Sequence, residues 1–201
     1  MNDTTADILV NRFKEAQKPI IKSMYLAMIM FIGAELMLFS GFIGAFLLLR
    51  LSSVDWPPPN QPTLPVFITG INTIVLLTSG FLMSRAWKSI NNLSKHLRYM
   101  ILASILGILF LSIQGYEWVK LVNYGLTLQS SVYGGMFYLI IGTHAIHVAG
   151  GLLWLLIITY LSINGTLGNS PKESNKFKAS ALYWFFVVLL WPFLYLLVYF
   201  Q

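Results

Sequence analysis

Five long apolar runs alternate with short polar connectors along the 201-residue chain. A helix that crosses the hydrocarbon core of a bilayer needs about 20 apolar residues, and each run is long enough. The pattern therefore predicts an all-α polytopic membrane bundle with five transmembrane helices, forming one domain over residues 24–201 after a basic tail at 1–23. The predicted spans are Met24–Leu49, Val66–Trp87, Tyr99–Val119, Tyr133–Leu161 and Ala179–Phe200.

The connector VDWPPPNQPTLP, residues 54–65, is predicted to be extended. Its prolines lack N–H donors and disfavour helical conformation in the residues that precede them. The first span is too long for a signal-peptide core and no small-residue cleavage pattern follows it, so we expect it to be retained as an anchor.

The composition supports a membrane protein. Hydrophobic residues make up 57% of the chain and charged residues only 10%, whereas soluble domains carry about a quarter charged residues. The chain has no cysteine, which excludes iron–sulfur clusters, thiolate zinc sites and covalent c-type haem. Its excess of basic residues lies in connectors between the spans, so it indicates membrane topology and no nucleic-acid partner.

The basic residues also predict the orientation of the chain. Eleven of them fall on one side, in the tail and in the second and fourth connectors, and two fall on the other. By the positive-inside rule, the N-terminus is cytoplasmic and the C-terminus is outside. The eleven are Arg12, Lys14, Lys18, Lys22, Arg85, Lys88, Lys95, Arg98, Lys172, Lys176 and Lys178, against Arg50 and Lys120.

Three ionisable residues lie inside the predicted spans, where such groups are expensive and usually functional. Glu35 follows the start of the first span by eleven residues, and His144 follows the start of the fourth by the same number. At 1.5 Å per residue, each lies about 16 Å from its own membrane face, near the midplane. His147 is about one turn deeper on the same helix face. The three residues are therefore expected to form an intramembrane polar cluster.

Three interpretations of this cluster stay open. A metal site is possible in principle because residues at i and i+3 share a helix face, but the remaining histidine, His96, is placed in a connector and leaves only three ligands. A proton relay would need further titratable groups towards one surface, and the first and fourth spans offer none. The third interpretation is a structural contact to a helix, a lipid or a partner subunit, which general physics favours.

Four stretches together resemble one family, subunit III of the haem–copper terminal oxidases, which include cytochrome c oxidase and quinol oxidase. They are FIGAELMLFSGFIGAFLLLR at 31–50, INTIVLLTSG at 71–80, GILFLSIQGYEW at 107–118 and SVYGGMFYLIIGTHAIHVAGGLL at 131–153. They occur in chain order in four of the five spans. Five spans resemble the short prokaryotic form of the family.

The resemblance implies a non-redox, non-catalytic subunit in the cell membrane of a prokaryote. Such a subunit packs with oxidase subunits I and II, binds phospholipid, and supports proton uptake and turnover; it can also belong to a larger respiratory supercomplex. Haem and copper would lie in subunit I, with none in this chain. Glu35 falls on the family's buried glutamate. The family's recurrent polar positions are matched in this chain by Asn72, Glu117, His144 and His147.

The last span departs from the family pattern. Members commonly read YWHFVDVVWLFLY, whereas residues 183–195 read YWFFVVLLWPFLY. Phe185 replaces the usual histidine and Val188 the usual aspartate, so this chain resembles a divergent member. Other functions stay open: an accessory subunit of a nitric oxide reductase, a small membrane metalloprotein using Glu35, His144 and His147, or a proton-coupled carrier.

Overall fold

The computed structural model describes residues 23–59, 61–164 and 171–200, and these residues form five helices and no strand. The helices are α1 (Ser23–Ser52), α2 (Val66–Lys88), α3 (Leu93–Asn123), α4 (Val132–Ile163) and α5 (Pro171–Tyr199). All five are long and apolar enough to cross a membrane. The prediction of a five-span helical bundle is confirmed. Residues 1–22 of the basic tail lie outside the described residues.

Four helices form a ring, and the fifth lies outside it. α2 packs against α3 and α5, and α4 also packs against α3 and α5, so α2 to α5 enclose a common core. α1 packs only on α5 and α4. In the most apolar 18-residue stretch of each helix, 11% of residues are buried in α1 and 56% in α5. α5 is therefore the central helix of the bundle and α1 the peripheral one.

The helix ends follow local capping signals as well as apolar run lengths. The Asn92 side chain accepts a hydrogen bond from the Lys95 N–H at 3.2 Å, and the Ser131 hydroxyl accepts one from the Gly134 N–H at 3.0 Å. Side-chain oxygens at these positions satisfy N–H groups that have no partner within the helix. The Asn92 cap explains why α3 begins six residues before the predicted Tyr99.

The early start of α3 overturns one prediction. His96 was placed in a connector, but it lies within the first turns of α3 and is buried. Its Nδ1–H donates to the Ala86 carbonyl at 2.9 Å. The placement was wrong because the turn between α2 and α3 is only four residues long, which brings the start of α3 against the end of α2.

The connector at 54–65 contains no helix among its described residues, as its prolines predict. Its aromatic residue anchors it to the bundle: the Trp56 ring lies edge-on to Phe46 of α1 at 5.5 Å and to Tyr133 of α4 at 5.4 Å between ring centroids. Offset and edge-on aromatic pairs stabilise such contacts beyond the area they bury. The loop therefore ties the end of α1 to the start of α4.

Candidate functional site

Glu35 and His147 meet between the peripheral helix and the ring. The Glu35 Oε2 of α1 lies 2.8 Å from the His147 Nε2 of α4, and the two side chains are 12% and 16% exposed. Phe39, one turn along α1, packs its ring against His147 at 5.3 Å. Two groups predicted to lie at similar depth on different helices are thus in direct contact.

The two ring nitrogens of His147 have different partners. Its Nδ1 lies 2.7 Å from the carbonyl oxygen of Thr143, and because a carbonyl only accepts, Nδ1 carries a proton and donates it to this hydrogen bond. The Thr143 bond therefore sets the orientation of the ring, which turns Nε2 towards the Glu35 carboxylate of α1.

His144 lies on the same helix but in different surroundings. Its side chain is fully buried, and its ring stacks on Trp191 of α5 with centroids 5.0 Å apart and planes 25° apart. Neither ring nitrogen has a hydrogen-bond partner among the described residues. Phe39 lies against both imidazoles, 6.3 Å from His144 and 5.3 Å from His147. The structure therefore brings Glu35 to His147 and places His144 in the aromatic core.

Asn72 belongs to a second polar group inside the ring. Its side-chain amide donates to the Phe110 carbonyl at 3.1 Å and to the Gln114 Oε1 at 3.4 Å. The Gln114 amide in turn donates to the Tyr199 hydroxyl at 3.0 Å. All three side chains are buried, so this network joins α2, α3 and α5. Sequence reasoning missed Gln114 and Tyr199, although Gln114 lies three residues before Glu117 on the same helix face.

Glu117 extends this group towards the end of α3. Its carboxylate is bonded by the Lys120 ammonium at 3.1 Å, and its side chain is 6% exposed against 37% for Lys120. The Lys120 ammonium also lies 4.4 Å from the ring centre of Tyr116. The Glu117 carboxylate is buried near the end of α3 because Lys120 covers it from the end of the helix.

Two tryptophans bind α5 to α2 by hydrogen bonds. The Trp191 indole donates to the Thr73 hydroxyl at 2.9 Å, and the Trp184 indole donates to the Ser79 hydroxyl at 3.1 Å. The Ser79 hydroxyl in turn donates a hydrogen bond to the Ala103 carbonyl of α3 at 2.8 Å. Buried tryptophans need such acceptors, so these pairs also fix the rotation of α5 within the ring.

The two positions at which α5 departs from the resemblance make apolar contacts. Val188 is buried against Gly80 of α2, and the Phe185 ring lies 6.3 Å from the Trp87 ring. No carboxylate or imidazole of α5 therefore faces α2 here. Among its described side chains, the fifth span contributes aromatic rings and the Tyr199 hydroxyl to the polar groups, and it contributes no carboxylate or imidazole to the Glu35–His147 contact.

The arrangement does not suit a metal ion. Among the residues that the structure describes, no three His, Asp or Glu side chains come close enough to hold one. Both nitrogens of His147 are already engaged, one by Thr143 and one by Glu35. What the site does is join α1 to α4 by a polar contact.

Five helices that can each cross a membrane, joined by a half-buried glutamate–histidine contact, define this chain as a polytopic membrane protein. The family model of cytochrome c oxidase subunit III matches residues 6–201. The chain belongs to this family.

Known relatives come from distant organisms. The chain is 34% identical over 181 residues to cytochrome c oxidase subunit 3 of Bacillus subtilis, covering 89% of this chain and 86% of that protein. It is 34% identical over 174 residues to the Synechocystis protein of that name, covering 85% and 72%. The similarity to the Pongo pygmaeus protein is 32% over 189 residues, covering 90% and 70%.

Proposed function

We propose that this chain is the non-redox subunit III of a respiratory haem–copper terminal oxidase. The observation that carries the proposal is the family match, which extends over nearly the whole chain and includes all five spanning helices. In this role the chain packs with oxidase subunits I and II, binds phospholipid, and supports proton uptake, turnover and stability during oxygen reduction. Haem and copper are held by subunit I.

The Glu35–His147 contact gives this proposal a specific site. It holds α1, the helix with the least contact to the rest of the bundle, against α4. A polar contact between membrane helices contributes about 0.6–2 kcal/mol, and it fixes which residues face each other. The contact therefore keeps α1 in one orientation for lipid or for the neighbouring subunit.

The proposed location is the cell membrane of a prokaryote, with the N-terminus cytoplasmic and the C-terminus outside. The positive-inside distribution of lysine and arginine supports this orientation. The ends of α2, α3 and α5 that carry Arg85, Lys95 and Lys176 then face the cytoplasm, and the connector at 54–65 faces outward.

Purification of the oxidase with variants of this chain tests the role. Replacing Glu35 or His147 by alanine should lower the amount of this chain that co-purifies with subunit I, or shorten the working lifetime of the complex, with haem content unchanged. A haem spectrum that disappeared while assembly stayed intact would contradict the proposal. Mass spectrometry of the wild-type complex in mild detergent supplies the direct check, because a partner of the nitric oxide reductase type would identify a different enzyme.

A further inference from the structure

Three helices meet at the end of the bundle where α2 stops and α3 and α5 start. The Phe177 ring of α5 lies 4.5 Å from the His96 ring of α3 and 6.1 Å from the Trp87 ring of α2, between centroids. The His96 ring is fixed in turn by its hydrogen bond to the Ala86 carbonyl. These contacts form one aromatic junction of Trp87, His96 and Phe177.

Basic residues flank each member of this junction. We call them the basic rim: Arg85 and Lys88 on α2, Lys95 and Arg98 on α3, and Lys176 and Lys178 on α5. Five of the six side chains are exposed and Lys178 is half-buried. Because the flanked residues touch one another, the six cations are gathered around one end of the bundle.

No described carboxylate compensates this charge. The carboxylates whose side chains the structure describes are Glu35, Asp55 and Glu117, and none forms an ion pair with a rim residue. In the sequence, residues 85–98 and 162–178 together contain one acidic residue, Glu173, against seven basic ones. The rim therefore has a clear positive excess and attracts anions.

The apolar side chains beside the rim indicate what kind of anion fits. Phe81, one turn from Arg85 on the same face of α2, is 61% exposed, and Leu102, one turn from Arg98 on α3, is 39% exposed. The Arg85 guanidinium also lies 5.9 Å from the ring centre of Tyr99, and tyrosine is common at membrane interfaces. The cations of the rim therefore suit the headgroup of an anionic phospholipid, and the apolar side chains next to them suit its acyl chains.

We propose that the basic rim binds the phosphate headgroup of an anionic phospholipid, whose acyl chains lie on the exposed apolar side chains of α2 and α3. An acidic protein segment would satisfy the cations but would leave the apolar side chains below them without a function. This site adds a second location to the lipid binding of the proposed function, and it selects lipids with an anionic headgroup. It does not depend on any role of Glu35 and His147.

Native mass spectrometry of the full chain, loaded with equal amounts of phosphatidylglycerol and phosphatidylcholine, tests the proposal. The wild-type chain should retain phosphatidylglycerol preferentially. Lys88→Gln/Lys176→Gln/Lys178→Gln should reduce that preference by up to about fivefold for each cation removed. The charge-conserving variant Lys88→Arg/Lys176→Arg/Lys178→Arg should keep it, and this variant separates loss of charge from damage to the fold.

Arg50→Gln, which removes one cation at the opposite end of the bundle, is the matched control and should leave the preference unchanged. Equal retention of the two lipids by the wild-type chain would overturn the proposal. The proposal would also be overturned if Arg50→Gln lost as much preference per cation removed as the triple glutamine variant, since the lipid preference would then depend only on total charge. A glutamine variant that kept the wild-type lipid preference would also overturn the proposal. Lipid retention is read on this chain alone, so its failure is distinct from a failure to support oxygen reduction.

Discussion

Val188 occupies the space that Gly80 leaves between α5 and α2. A β-carbon built on Gly80 would lie 2.8 Å from the Val188 Cγ1, closer than real side chains approach. With valine at position 188, a larger residue at position 80 would force one of the two side chains to shift. The contact lies where the family resemblance leads one to expect an aspartate on α5, so an apolar contact has taken the place of a polar one.

Gly80→Ala should therefore destabilise the bundle by about 1–3 kcal/mol, the usual cost of overpacking a filled core. Val188→Ala should restore much of this loss when combined with it, because it removes the methyl groups that the new β-carbon meets. Thermal unfolding in detergent measures both effects. Gly150→Ala is the control, since a β-carbon there meets nothing within 4 Å; equal losses in the two glycine variants would contradict the explanation.

Because Glu35 and His147 are in contact, we expect their replacements to have non-additive effects on stability. Glu35→Ala and His147→Ala should each lower stability, and the double variant should lose less than the sum by about 0.6–1.7 kcal/mol, the range for polar contacts between membrane helices. Glu35→Gln should stay closer to wild type because its amide can donate to the His147 Nε2. Met37→Ala, at a position of α1 that is 78% exposed, provides the control. Strictly additive losses would mean that the two side chains act separately.

Replacing the buried Gln114 should destabilise the bundle more than replacing Ser112, an exposed polar residue of the same helix. Gln114→Leu removes the donor to the Tyr199 hydroxyl and one of the two acceptors of the Asn72 amide, and each lost hydrogen bond costs about 0.5–1.5 kcal/mol. Ser112→Ala should cost little, because that exposed hydroxyl bonds only to the Ile108 carbonyl of its own helix. Unfolding of the two variants under the same conditions gives the comparison. A Gln114→Leu protein as stable as wild type would show that the network adds no net stability.

The orientation of the chain can be tested by labelling, because the sequence has no cysteine. Single cysteines in place of the exposed Ser53 and Asn91 lie in the connectors after α1 and α2, on opposite sides of the membrane. An impermeant thiol reagent applied to intact cells should label Ser53→Cys and not Asn91→Cys, whereas permeabilised cells should label both. The reverse pattern would invert the proposed topology.

The helices could be predicted from the sequence because bilayer thickness sets the length of an apolar span. Glu35 could be singled out because ionisable residues are rare inside such spans. Sequence reasoning could place both histidines near that glutamate but could not choose between them. That choice depends on Phe39 and Trp191, whose packing around His144 is a tertiary effect. Tyr199 was missed for a similar reason: a tyrosine at the end of a span is typical of the interface, and only the assembly of the four-helix ring brings its hydroxyl to Gln114.

The position of Glu35 on α1 also has a consequence for biosynthesis. The chain is made from its N-terminus, so α1 enters the membrane while α4, whose His147 contacts the Glu35 carboxylate, has not yet been made. Until α4 arrives, Glu35 must be protonated or kept in contact with water, because an unpaired carboxylate in hydrocarbon is too costly. The association of α1 with the ring is therefore a late event of assembly, and it takes place only once the fourth helix is inserted.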